Sequence, residues 1–203
     1  AVWYFSEGAV ALADDGGATR ATVAFLTGPN GAMVVPPRVL FYSKTLGSGA
    51  SWQTAAQDID IPGVEEGPRT WHARVITYRQ PARGQDSITL MFCDATTYQA
   101  YSITSQDAGQ SWLPPTLVVA PAAVGEQIAF AAPAYEPVSD RLVSIYTCCV
   151  TGGWDNAAPG THFLRWSRPS APEWYDITPG QRVPLILGAR AAAQTVTAQA
   201  RNA

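Results

Sequence analysis

Three tryptophans, Trp52, Trp112 and Trp174, stand 60 and 62 positions apart in a chain of 203 residues, and each closes a similar eight-residue stretch: TLGSGASW, SQDAGQSW and SRPSAPEW. Self-similarity at a fixed period means that one supersecondary unit is being repeated, which constrains the fold more than any single segment can. Upstream of each Trp the same order recurs: strand, polar turn, strand, variable loop, strand, then the eight-residue stretch and a short fourth strand. The polar turns are DDGG from Asp14, RQPARGQD from Arg79 and EPVSD from Glu136, rich in the residues that tight turns require. The unit is therefore four-stranded.

The segments between the turns agree with this. Helical periodicity is nearly absent, and short β-branched and aromatic runs are punctuated by Gly, Pro, Asp and Asn, which predicts an all-β domain. Strands are expected at 9–13, 20–27, 38–44, 73–79, 87–94, 99–104, 116–120, 128–135, 141–150 and 162–167. The Ala- and Gln-rich tail at 189–203 has no apolar face to bury and reads as a frayed end or linker.

Composition narrows the function classes. The formal charge is -3 and the thirteen Lys and Arg form no run, so no basic stripe awaits a phosphate backbone and nucleic acid is not an expected partner. No run approaches the roughly 20 apolar residues of a membrane helix, so no membrane insertion is expected. Gly-rich phosphate loops, the G-x-S-x-G elbow and His-rich patterns are absent from the sequence, so no cofactor or metal is expected. Asp58 and Asp60 form an acidic pair that could hold a metal, but alternating DID reads better as a strand with one face in solvent. Cys93, Cys148 and Cys149 have no zinc-site spacing; buried thiols satisfy the pattern, as does a bridge from Cys93 to one of the adjacent pair. Position 1 is Ala, which reads as a processed mature form, a trimmed chain or an excerpt of a longer one.

The middle copy, with Ser105, Asp107, Gly109, Ser111 and Trp112, resembles the Asp box (S-x-D-x-G-x-[ST]-W) of sialidase-like β-propellers, also called the bacterial neuraminidase repeat. Its chemistry suits a hairpin. Asp and Ser side chains hydrogen-bond turn backbone, Gly tolerates positive φ and Trp buries a large surface. Two eroded copies flank it: Gly47 replaces the Asp in the first, and Pro169, Ala171 and Glu173 replace Asp, Gly and Ser in the third.

The resemblance implies four-stranded propeller blades, about three of them, at approximately 8–58, 68–120 and 126–178, with the propeller region spanning 1–188. VWYFSE at the start resembles the last strand of a preceding blade, and VPLIL at Val183 the first strand of a following one. Closed propellers need four to eight blades. The expectation is thus an excerpt of a larger ring or a partial ring completed by a partner chain.

In such propellers the box is structural, and the ligand face comes from the loops between second and third strands and from the connections between blades. Here those are 28–37, 94–98 and 152–161, with connections at 58–72, 121–127 and 179–182. They carry Asn30, Arg69, Trp71, His72, Trp154, Asp155 and Asn156, a set suited to stacking on sugar C–H faces and to directional hydrogen bonds. His162 and the pair Glu65 and Glu66 are weaker candidates. Sialidase chemistry would require three clustered Arg, a Tyr–Glu nucleophile pair, an acid/base Asp and an Arg-Ile-Pro segment; Arg20, Arg69, Arg74, Arg141 and Arg182 are present, but that segment is not. The expectation is a non-catalytic segment that binds a glycan or a protein surface in an extracellular or periplasmic setting. A part of a sialidase-type hydrolase and a structural subunit of a larger complex are the alternatives.

Overall fold

A computed structural model of the chain describes residues 4–28, 38–47, 49, 51–52, 57–60, 70–94, 97–150, 161–169 and 171–176. These residues form strands and turns, with no helix among them. Strands β1 (Tyr4–Asp14), β2 (Thr19–Gly28), β3 (Arg38–Thr45) and β4 (Gln57–Asp60) make the first sheet; β5 (Thr70–Tyr78), β6 (Ser87–Asp94), β7 (Ala100–Ser105) and β8 (Thr116–Val119) the second; β9 (Glu126–Glu136), β10 (Arg141–Val150), β11 (Thr161–Arg168) and β12 (Ala171–Asp176) the third. Each sheet is an antiparallel meander whose neighbours in space are neighbours in sequence. The all-β expectation is correct.

Three boundaries differ from the sequence reading. β1 begins at Tyr4 and runs unbroken in pairing with β2 apart from an irregularity between Phe5 and Glu7, so YFSE belongs to the first strand of this sheet and not to the last strand of a preceding unit. The aromatic residues there extend the strand past Gly8. Asp58 and Asp60 lie in β4, so the expected connection at 58–72 starts later. At its other end β5 begins at Thr70, which puts Trp71 and His72 in a strand, Trp71 opposite Cys93. VPLIL and the tail at 189–203 lie outside the described residues.

The sheets stack face to face. Alternate residues of β6 explain how: Ile88, Leu90 and Phe92 pack with Ala9, Ala11, Ala13 and Ala24 of the first sheet, whereas Met91 and Cys93 pack with Ile128, Ala131, Leu142 and Tyr146 of the third. Every residue of β6 and β7 is buried. A strand buried on both faces loses the polar/apolar alternation of a half-exposed one, and SITLMFCD reads accordingly. Each of Ile88, Leu90, Met91 and Phe92 is wholly inaccessible, worth about 1.5–3 kcal/mol apiece by transfer.

The two seams differ in chemistry. Toward the first sheet the second presents mainly hydrocarbon; toward the third its apolar cluster also encloses polar contacts, the Thr89 hydroxyl meeting those of Tyr78 at 3.1 Å and Thr104 at 3.0 Å. Trp174 of β12 donates its indole N–H to Ser102 Oγ at 3.0 Å across the same seam. Cys93 and Cys148 are buried thiols, one on each side of it.

Candidate functional site

The segment SQDAGQSW at 105–112 occupies the turn between β7 and β8. Ser105 hydroxyl donates to Asp107 Oδ1 at 2.7 Å while accepting Gly109 N–H at 2.8 Å. Asp107 Oδ1 also takes the N–H groups of Gln110 (3.1 Å) and Ser111 (2.8 Å), and Oδ2 takes Ser111 hydroxyl at 2.5 Å. Burial alone would raise the pKa of this carboxyl; Ser111, Ser105 and Gln110 outweigh it and hold the group below its ordinary value of 3.8. Ala108 and Gly109 both have left-handed backbone, φ 55° and 86°. Glycine is required at the second for another reason too, since a Cβ there would stand 2.3 Å from Thr22 Oγ1 of the first sheet.

The turn therefore abuts Thr22 of the first sheet, bonds to the β5–β6 turn of its own sheet and reaches the third. Ala108 N–H donates to Asp86 C=O at 2.9 Å, and Gln106, fixed by Arg83 at 2.5 Å, donates its amide to Pro169 C=O of the third sheet at 2.7 Å. Trp112 is half-buried against the two clusters between the first and second sheets.

The other hairpin turns at this end are tied together in the same way. Arg79 bridges Asp86 Oδ1 (2.6 Å) and Asp14 Oδ2 (2.7 Å), and Asp14 Oδ1 closes its own turn by accepting Gly16 and Gly17 N–H. The Arg79 contact, followed by those two amides, lowers the pKa of Asp14. Glu136 caps the turn after β9 through Ser139 hydroxyl and the N–H groups of Val138 and Ser139, with its pKa lowered first by the Ser139 hydroxyl. Asp140 accepts Tyr135 hydroxyl at 2.8 Å and Gln80 amide at 3.2 Å, and Gln80 in turn accepts Ser87. Tyr78 stacks on Tyr135 with ring centroids 4.4 Å apart; burial, opposed by Thr89 and reinforced by Asp140, pushes Tyr78 up to about 12. With Asp15 paired to Arg20 at 3.1 Å, six carboxylates at the hairpin end are all engaged internally.

The flanking copies do not repeat this geometry. In the first, Gly47 and Gly49 have φ 75° and 68°, but with no Asp to gather the turn, Trp52 remains 44% exposed. In the third, Arg168 pairs with Ala171, so SRPSAPEW forms a tight hairpin and Trp174 lies inside β12 in the core, 7% exposed. The common spacing of the three Trp thus covers three different environments.

Register places the opposite strand ends at Tyr4, Gly28 and Arg38, at Thr70, Asp94 and Ala100, and at Glu126, Val150 and Thr161. Trp71 and His72 stand at this end of β5. The strands leading to 29–37 and 151–160 end here also, but Asn30, Arg69, Trp154, Asp155 and Asn156 themselves lie outside the described residues, as do the side chains of Trp71, His72 and His162. Two residues that the sequence reading placed in the ligand-face segments 94–98 and 121–127 without singling them out are in place. Asp94, buried, accepts Thr97 N–H at 2.8 Å together with its hydroxyl, and Gln127, also buried, has a side-chain carbonyl without a hydrogen-bond partner among the described residues. Neither belongs to a motif; Asp94 ends β6, and β9 starts at Glu126, so that Gln127 lies in a strand and not in the expected connection. Tyr101 hydroxyl donates to Gln99 at 2.5 Å beside them, its pKa raised by burial and then by Asp94.

Among the described residues no three His, Cys, Asp or Glu side chains converge as metal ligands would. The arginines there are dispersed: Arg20 pairs with Asp15, Arg79 with Asp14 and Asp86, Arg165 with Asp176, and Arg141 lies 4.5 Å over the Trp166 ring. No protein-family model matches this chain, and a search of curated proteins finds no significant match.

Proposed function

We propose that this chain is a non-catalytic, sialidase-like β-propeller segment that recognises a glycan or a protein surface through the loops at the strand ends opposite the Asp box, outside the cytoplasm. The observation that carries the reading is the chemical closure of the hairpin end: Asp14, Asp15, Asp86, Asp107, Glu136 and Asp140 all accept hydrogen bonds or ion pairs from their own or an adjacent hairpin. A carboxylate so engaged offers a ligand little without breaking the turn it holds. Recognition then falls to the other end, where Trp71, His72, Asn30, Trp154, Asp155 and Asn156 supply aromatic faces and directional polar groups. Support for the propeller comes from three consecutive four-stranded meanders stacked face to face, with the box in a third-to-fourth-strand hairpin.

The dispersal of the arginines among the described residues argues against a sialidase-type hydrolase, whose substrate carboxylate needs several guanidinium groups at one point. A structural role in a larger assembly is favoured by one observation, the exposed apolar pair Val10 and Leu12. The test is a glycan array with the whole chain, followed by titration of the best ligand. Trp154→Ala and Trp71→Ala are expected to weaken binding at least about tenfold, while Ser111→Ala leaves it unchanged. Silence across a broad array would move the reading to the assembly role, and turnover of a fluorogenic sialoside would move it to the hydrolase.

A further inference from the structure

At the hairpin end the two seams are fastened by different chemistry. Across the first, Asp14 N–H donates to Asp86 Oδ2 at 2.8 Å and Asp86 N–H donates to Asp14 C=O at 2.7 Å. Arg79, just past β5, then spans both carboxylates, with Nε on Asp86 Oδ1 and Nη2 on Asp14 Oδ2, while Nη1 donates to Gly84 C=O at 3.0 Å. Every nitrogen of the guanidinium is thus engaged, Nε and Nη2 on charge. Across the second seam at this end the crossing donors are neutral: the Gln80 amide on Asp140 at 3.2 Å and the Gln106 amide on Pro169 C=O at 2.7 Å. Among the described residues, Arg79 with Asp14 is the ion pair that joins two sheets, whereas Arg20 with Asp15 and Arg165 with Asp176 each stay within one.

The ionic fastening stands in solvent and covers hydrocarbon. The side chains of Arg79 and Asp14 are 43% and 49% exposed, within reach of dissolved ions. Behind them Ala13, which precedes Asp14, and Ile88, which closely follows Asp86, form a buried cluster with Ala11 and Ala108, bordered by Val75 and Trp112. Dissolved ions weaken an exposed charge pair far more than a buried neutral contact. We infer that Arg79 is the pin of an ionic latch between the first and second sheets, and that salt, or loss of the arginine charge, opens this end of the first seam while the second stays shut. Apolar contact further along still joins the sheets, so the opening is local, uncovering Ala13, Ile88 and Ala108. The other charged groups of these turns are occupied separately, Asp15 by Arg20 at 3.1 Å and Arg83 by Gln106 at 2.5 Å. Arg79 is therefore the link between the carboxylates of Asp14 and Asp86, whatever the opposite end of the molecule binds.

The experiment is hydrogen exchange of the whole chain near neutral pH, read by nuclear magnetic resonance at single N–H groups, with circular dichroism as the check on folding. The amides of Asp14 and Asp86 report on the latch, and the Trp174 indole, which donates to Ser102 across the second seam, reports on the other. Raising NaCl from about 0.1 M to about 1 M shortens the Debye length from about 10 Å to about 3 Å. The two amides are then expected to exchange at least about threefold faster, and the indole at an unchanged rate. Arg79→Gln, at an exposed position, is expected to speed the same amides about tenfold at the lower salt and to abolish their salt response. If that variant fails to fold, the salt series on the parent chain decides by itself. Equal acceleration at both seams, no acceleration at either, or a salt response that survives Arg79→Gln overturns the inference.

Discussion

Asp107 combines two opposed effects at one carboxyl. Partial burial penalises its charge, and donors from Ser111, Ser105 and Gln110 more than compensate. Because the folded pKa lies below the unfolded value, near 3.8, the folded state holds fewer protons there, and its contribution to stability is present above 3.8 and lost as the pH falls through the lower folded value. Asp107→Asn, which keeps one acceptor oxygen but not the charge, is expected to cost about 1–2 kcal/mol at pH 7. Urea unfolding of both proteins between pH 2.5 and 7, taken here as roughly the range over which carboxylates titrate, should show that difference shrinking below about pH 4; a pH-independent gap would refute the assignment. Asp14 and Glu136 are lowered in the same sense, so the variant keeps part of the acid limb. The motif residues themselves were legible, since Ser, Asp and Gly announce turn chemistry. Ala108 in left-handed backbone was not, nor was the approach of Thr22 to Gly109, which comes from another sheet.

Elements were legible where turn residues bracket them and where alternation is unambiguous. The bounds of β6 and β10 follow from the sequence directly. The repeat was over-read in its flanking copies: spacing equated Trp52, Trp112 and Trp174, but the fate of each Trp depends on whether a side chain gathers the turn before it. Without an Asp the first turn leaves Trp52 in solvent, and in the third the turn shortens and draws Trp174 into the strand. Trp174→Ala is therefore expected to cost about 3–5 kcal/mol, emptying core volume and orphaning Ser102 hydroxyl. Trp52→Ala should lie within about 0.5 kcal/mol of the parent. Thermal or urea unfolding of the two variants decides it, and equal losses would restore the equivalence that spacing suggested.

At the scale of the molecule, the second sheet is enclosed by the other two, and its amides should be the slowest to exchange. Hydrogen exchange is expected to rank β6 and β7 above β1 and β12 in protection, because their opening requires both seams to separate. Faster exchange in β6 than in β1 would contradict the stacking. The candidate site was less legible than the fold, since ligand residues sit in variable loops whose chemistry carries no periodicity, and Trp71 and His72 proved to belong to a strand. The internally saturated hairpin end has a consequence for divergence. It behaves as a fixed chassis: turn chemistry on that side is interlocked across sheets, so substitutions there must come in matched sets. Those interlocking bonds reach none of Gly28, Arg38, Val150 and Thr161, the strand ends on the opposite side. Doubling a flexible loop raises its closure cost by only about 0.6 kcal/mol, so a lineage built on this chain can rewrite what it recognises by insertion on one side while leaving the other untouched.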